Sequence, residues 1–170
     1  MNHSCNPNTS PVFPQTAQTV YSTRTIKKGE EITQIYRGHF GDTPFEERQR
    51  LLKSMFSFDC GCQACKEKFP LSKDLQVSYQ AAGLSKELDL KHEALGEEVQ
   101  RSLEEVGGHR GTRQALEFYC QRLRLACKHL KEPHMLYLSG RAAVTDCLWL
   151  LEGNRQMHLD SESAMKGVYV

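Results

Sequence analysis

At 170 residues, with 39% apolar and 25% charged residues and a formal net charge of +1, the chain has ordinary globular usage, enough for one domain or a domain with a helical appendage. That balance excludes a disordered chain, and the lack of a basic stripe argues against a direct nucleic-acid surface. No stretch approaches the roughly 20 apolar residues of a membrane span and no signal-like segment opens the chain, so a soluble protein without a membrane partner is expected.

Residues 1 to about 36 read as β structure and loops. Pro7, Pro11 and Pro14 punctuate the start. A β-branched and aromatic run, Thr19-Val20-Tyr21-Ser22-Thr23, and a second run, Ile32-Thr33-Gln34-Ile35-Tyr36, flank a turn at Lys28-Gly29, which predicts two short strands around that turn. Thr43-Pro44-Phe45-Glu46 predicts a helix start, with Thr43 as cap, Pro44 in the first turn and Glu46 in a capping box. Phe45, Gln49 and Leu52 would share one face of that helix.

Beyond Phe69-Pro70 the pattern becomes that of amphipathic helices. Leu88, His92, Leu95, Val99, Leu103 and Val106 recur at helical intervals before Gly107-Gly108. Thr112 is a candidate cap for a second helix carrying Leu116, Tyr119, Cys120, Leu123, Cys127 and Leu130, which stops before Pro133. A third helix is expected from about His134 to Leu151, ending at Gly153, and the tail from Asn154 lacks a stripe. Helices joined by short connections favour antiparallel packing, as a small bundle or as stacked helix-turn-helix repeats.

Seven cysteines in such a chain fit a reducing compartment, cytoplasmic or nuclear, better than a secreted disulfide framework. Three of them fall in Cys60-Gly-Cys62-Gln-Ala-Cys65, and a fourth, Cys5, lies in the opening segment. Thiols separated by one residue rarely reach the separation and Cβ orientation of a disulfide. Zinc takes four soft ligands tetrahedrally, so three sulfurs from one knuckle and one from a distant segment would close a structural site. Cys120, Cys127 and Cys147 are expected as buried small apolar residues, and His109, His129, His134 and His158 at the surface or at helix ends.

Three segments, Asn2-His3-Ser4-Cys5-Asn6-Pro7-Asn8, Arg24 to Ile32 leading to Tyr36, and Phe58 to Cys65, resemble the SET and MYND lysine methyltransferases in content and order. The resemblance implies an α+β fold: a partial SET β-rich core at 1–53, a post-SET zinc knuckle at 54–70, a helical region (bundle or TPR-like) at 71–153 and a tail at 154–170. It implies that Cys5, Cys60, Cys62 and Cys65 bind one structural zinc, with backbone donors or Lys66 stabilising the anionic cluster.

The same resemblance implies that Asn2 and His3 contact the adenosine of S-adenosylmethionine, that Phe58 packs on its adenine, and that Tyr36 lies beside the lysine channel and orients the amine. Phe56 stands where family relatives carry a second tyrosine, removing a hydroxyl from that channel. The earlier SET strands, a glycine-containing cofactor segment and the MYND finger would precede Met1, so a carboxy-terminal fragment or short isoform is expected. The implied function is part of a methyltransferase acting on a protein lysine, with the helical region narrowing access or docking a protein partner. The alternative is a catalytically silent, zinc-stabilised interaction module.

Overall fold

A buried asparagine, rather than a hairpin turn, organises the first part of the chain. In the computed structural model, which describes residues 1–13, 18–105 and 113–151, β1 (Asn2–His3) pairs in parallel with β4 (Thr33–Gln34), and β2 (Thr9–Val12) pairs with β3 (Thr19–Ser22). The two strands expected to flank Lys28-Gly29 therefore belong to different sheets, and the second is only Thr33–Gln34. Asn8 gives the reason. Its side chain accepts from the Thr33 amide (2.8 Å) and donates to the Glu31 carbonyl (2.8 Å) and to Glu30 Oε1 (3.1 Å). An asparagine amide here supplies the hydrogen bonds that a neighbouring strand would otherwise give this segment. Gly29 at φ +85° makes the preceding turn, a conformation open to glycine.

The chain forms two compact units, the first from Met1–Pro11 and Gln18–Leu75, the second mainly from Gln76 onward. In the first, α1 (Phe45–Phe56) follows Pro44, and no side chain caps it; the expected Thr43 cap is absent. Glu46 and Glu47 in its first turn favour its amino-terminal dipole, and Ser57 ends it in the left-handed region. A single turn, α2 (Gln63–Lys66), follows. Leu52, Phe40, Ala64 and Phe69 are buried, with Phe40 and Phe69 edge-on at 5.3 Å. Ser72 anchors the end of the unit by donating twice to the Gly41 carbonyl, from its amide at 2.8 Å and its hydroxyl at 2.9 Å.

The second unit consists of α3 (Lys86–Glu104), α4 (Arg113–His129) and α5 (Met135–Leu151), with α4 packed against both others. Val99 and Leu103 of α3 meet Ala115 of α4 and Cys147 of α5 in one cluster. Tyr79, Ala126 and Leu130 form another, against which Leu84, Leu88, Leu125 and Leu136 pack. The beginning of α3 thus lies by the end of α4 and the beginning of α5, an antiparallel succession. At Gly140 an added Cβ would approach Leu123 Cδ1 to 3.2 Å, so α5 comes close to α4 there. Ser85 caps α3, accepting from the Glu87 amide at 3.2 Å. His134 stands at the start of α5, where its Nδ1 accepts from the Leu136 amide at 3.1 Å.

Cys147 is buried as expected, whereas Cys127 is exposed. Ala126, one residue earlier, takes the buried position, because α4 presents a small residue to its neighbours there. Pro14, Val106, Gly107, Gly108, His109, Thr112, Gly153, His158 and the tail from Asn154 lie outside the described residues. Among the described residues no helix is long and apolar enough to cross a membrane.

Candidate metal centre and aromatic cluster

Each of the four sulfurs of Cys5, Cys60, Cys62 and Cys65 is placed by a local device. Cys5 follows β1, and its carbonyl accepts from the Phe40 amide at 3.1 Å. Cys60 is clamped by Gln49 of α1, whose amide group donates to the Cys60 carbonyl and accepts from the Cys60 amide, both at 2.8 Å. The α2 turn, in which the amides of Cys65 and Lys66 return to the Cys62 carbonyl at 3.0 and 2.9 Å, brings Cys62 and Cys65 to one side. As a result all four sulfurs lie within 4.8 Å of one another.

That spacing fits a metal. Cys5 Sγ is 4.0 Å from Cys60 Sγ and 3.6 Å from Cys65 Sγ. Sulfurs at tetrahedral corners about 2.3 Å from zinc stand roughly 3.8 Å apart, between those two values. With Cys5, Cys60 and Cys65 buried, the four sulfurs could hold a metal ion out of contact with solvent.

The electrostatics favour the same reading. Hydrogen bonds from Cys5 and Cys60, supplemented by the backbone amides of Cys5 and Cys65, hold the Cys62 thiol far below its ordinary range. Hydrogen bonds to Cys60 and Cys62, followed by burial, push Cys5 far up. Burial and the Cys62 charge push Cys65 up to about 11. One thiolate is thus accommodated at the expense of its neighbours, and a divalent cation bound there would allow all four to ionise together.

Two further groups touch the sulfurs. His3 is buried, and its Nδ1 accepts from the Tyr36 amide at 3.0 Å. This fixes the neutral ring as the Nε2–H tautomer, which faces Cys5 Sγ at 3.3 Å; burial also holds its pKa down. Arg48 of α1 is fully buried and donates from Nη1 to the Thr43 carbonyl (2.7 Å) and from Nη2 to the Ala64 carbonyl (3.4 Å) and Cys65 Sγ (3.9 Å). Backbone donors serve the cluster as expected, whereas Lys66 is exposed and Arg48 is the cation at the sulfurs. Sequence reading overlooked Arg48. The available signal was its position three residues after Phe45 and four before Leu52, on the same helical face.

Beside the sulfurs lies an aromatic cluster. The Tyr36 ring is 5.4 Å from His3, 5.2 Å from Phe56 and 6.5 Å from Phe58, and Phe58 is 5.9 Å from His3. The Tyr36 hydroxyl donates to the Met1 carbonyl at 2.8 Å. A cleft of about 350 Å³ is lined by His3 and Phe58 together with Cys62, Arg24, Glu30 and Asn6. The Arg24 guanidinium lies 2.5 Å from the Glu30 carboxylate and, with the Lys27 amide and Asn8, holds its pKa at about 2. Asn2 is exposed and donates to Glu31 Oε1 at 2.6 Å. Of the residues expected at a cofactor, His3, Tyr36 and Phe58 are therefore gathered together, while the Asn2 side chain is held by Glu31.

Residues 1–37 match the family model of the SET domain. The chain is 44% identical over 66 residues to the human (Homo sapiens) protein-lysine N-methyltransferase SMYD4 and 46% identical over 65 residues to its mouse (Mus musculus) counterpart. These matches cover 39% and 38% of this chain and 8% of each relative. It is also 42% identical over 71 residues to histone-lysine N-methyltransferase SET5 of Scheffersomyces stipitis, covering 39% of this chain and 14% of that protein. Over the matched part the chain is thus similar to SET-domain lysine methyltransferases, and that part represents a small share of the length of those relatives.

Proposed function

We propose that the first unit forms part of the S-adenosylmethionine site of a protein-lysine N-methyltransferase, in which a structural zinc ion holds the knuckle that carries Phe58. The observation supporting this most strongly is the packing of Phe56 and Phe58 with His3 and Tyr36 of the segment that matches the SET domain, directly beside the four-cysteine cluster. S-adenosylmethionine would supply the methyl group. Phe58 would pack on the adenine, and Asn2 and His3 would line the adenosine. Because both ring nitrogens of His3 are engaged within the protein, its main chain and ring face are what remain for that contact.

Methyl transfer to a lysine needs a neutral amine aligned with the methyl carbon and shielded from water. The rings of Tyr36, Phe56 and Phe58 would provide the shielding and disfavour the charged amine. Tyr36 would orient the amine through its hydroxyl after exchanging the Met1 carbonyl for it. Phe56, without a hydroxyl, leaves Tyr36 as the hydroxyl of that ring cluster. The partner of this site is a protein lysine in the cytoplasm or nucleus, and the helical unit would hold a partner protein.

Titration calorimetry with S-adenosylmethionine on the zinc-loaded chain, followed by radiolabelled methyl transfer to lysine peptides, tests the proposal. Binding that weakens in Phe58→Ala supports it, while no binding in zinc-loaded, folded protein removes the cofactor role. The second reading, a catalytically silent interaction module, draws on the Tyr36 hydroxyl being already held by Met1. Cofactor binding without turnover on any lysine peptide would favour it.

A further inference from the structure

We infer that Arg48 is the built-in counter-charge of the four-cysteine centre, an outer-sphere cation that sets how tightly the thiolates hold zinc. A fully buried guanidinium normally stands against a carboxylate, since an uncompensated charge in the interior is costly. Among the described residues no carboxylate forms an ion pair with Arg48. Two of its contacts are neutral carbonyls and the third is Cys65 Sγ at 3.9 Å. Four thiolates around a divalent ion carry a formal charge of minus two, and they are the anion within its reach.

The surroundings of Arg48 are shaped to keep it there. Gly38, at φ +68°, lies so close that an added Cβ would stand 3.1 Å from Arg48 Cγ, so the loop before α1 closes on the arginine stem. The Phe45 ring lies 5.9 Å from its guanidinium carbon. Nη1 and Nη2 donate to residues 43 and 64, which join the start of α1 to α2. Nε is buried without a partner, so the guanidinium gives up one hydrogen bond to reach the sulfur side. Outer-shell groups of this kind typically change metal affinity by about 10–100-fold when removed.

The assignment rests on the zinc reading and not on methyl transfer. Arg48→Met, Arg48→Gln and Arg48→Lys in the full chain are compared for zinc affinity by chelator competition. Cobalt loading then reads the sulfurs through the sulfur-to-cobalt charge-transfer band. Arg48→Met is expected to weaken zinc about 10–100-fold and to move the band to lower energy, because thiolates without a nearby cation are more electron-rich. Arg48→Lys should remain closer to the parent in both. A loss of packing alone lowers affinity in all variants and leaves the band in place, so an unmoved band overturns the assignment. Where Arg48→Met does not fold with metal, Arg48→Gln against Arg48→Lys makes the same comparison, and equal affinities and bands in those two count against the charge. Absence of zinc from the parent would end the zinc reading itself, a distinguishable result.

Discussion

The two units of this chain obtain order from different sources. Among the described residues, the first has two sheets of two strands each and two α-helices, one of them a single turn. It is joined by side-chain clamps, Asn8 to residues 30–33 and Gln49 to Cys60, around four sulfurs. The second has long helices that bury apolar stripes against each other and draws its stability from area removed from water. The contrast teaches that regular secondary structure is a poor guide to where a chain is specified. The clamps of the first unit fix individual atoms, while the stripes of the second fix faces.

Removing the metal should separate the two most sharply. Chelation of zinc from reduced protein is expected to abolish amide protection in residues 1–11 and 18–75 while α3, α4 and α5 keep theirs, read by hydrogen exchange. In zinc-finger peptides the metal is worth about 10–16 kcal/mol, which exceeds what so small a core supplies. Equal protection of the first unit with and without chelator would show that packing suffices there. The converse change is Leu123→Ala, which empties the contact between α4 and Gly140 of α5. It should cost about 3 kcal/mol in thermal or denaturant unfolding of the helical unit, with zinc stoichiometry unchanged.

The cysteine set was legible because metal ligands leave a spacing that little else explains, and the helices were legible because burial repeats with the turn. What escaped depended on contacts distant in sequence. Pro7 only punctuates the start of the chain as a sequence, yet Asn8 beside it does its work on residues 22–25 positions later. Arg48 has no visible role until the sulfurs it faces are placed. Ala115 and Ala126, both fully buried, carry too weak a hydrophobic signal to mark the face of α4, so the stripe drawn from larger residues included exposed Cys127.

Acidity should distinguish the units next. His92 is buried beside the Tyr79 hydroxyl at 3.5 Å, and burial, reinforced by Arg122 and opposed by Asp89, lowers its pKa from 6.5 to about 4. His134 is lowered as well, chiefly by burial. The fold prefers both rings neutral, and the contribution of His92 is fully present above pH 6.5 and is lost as the pH falls through about 4. The helical unit should lose about 3 kcal/mol over that window, measured by denaturant unfolding at a series of pH values. His92→Leu should flatten the dependence, and an unchanged slope in that variant would assign the acid sensitivity elsewhere.

The smallest effect compares the helix starts. Ser85 accepts from the Glu87 amide and so satisfies one of the donors that α3 leaves unpaired, whereas α1 begins at Pro44 with no side-chain cap. Ser85→Ala should therefore cost about 1 kcal/mol of helical-unit stability. Thr43→Ala should leave the first unit unchanged, even though Thr-Pro-Phe-Glu looks the better capping sequence. The carbonyl of residue 43, which the substitution keeps, is what Arg48 uses. A measurable loss in Thr43→Ala would mean that the start of α1 is held by its own side chain as well as by the buried arginine, bringing the two units closer in kind.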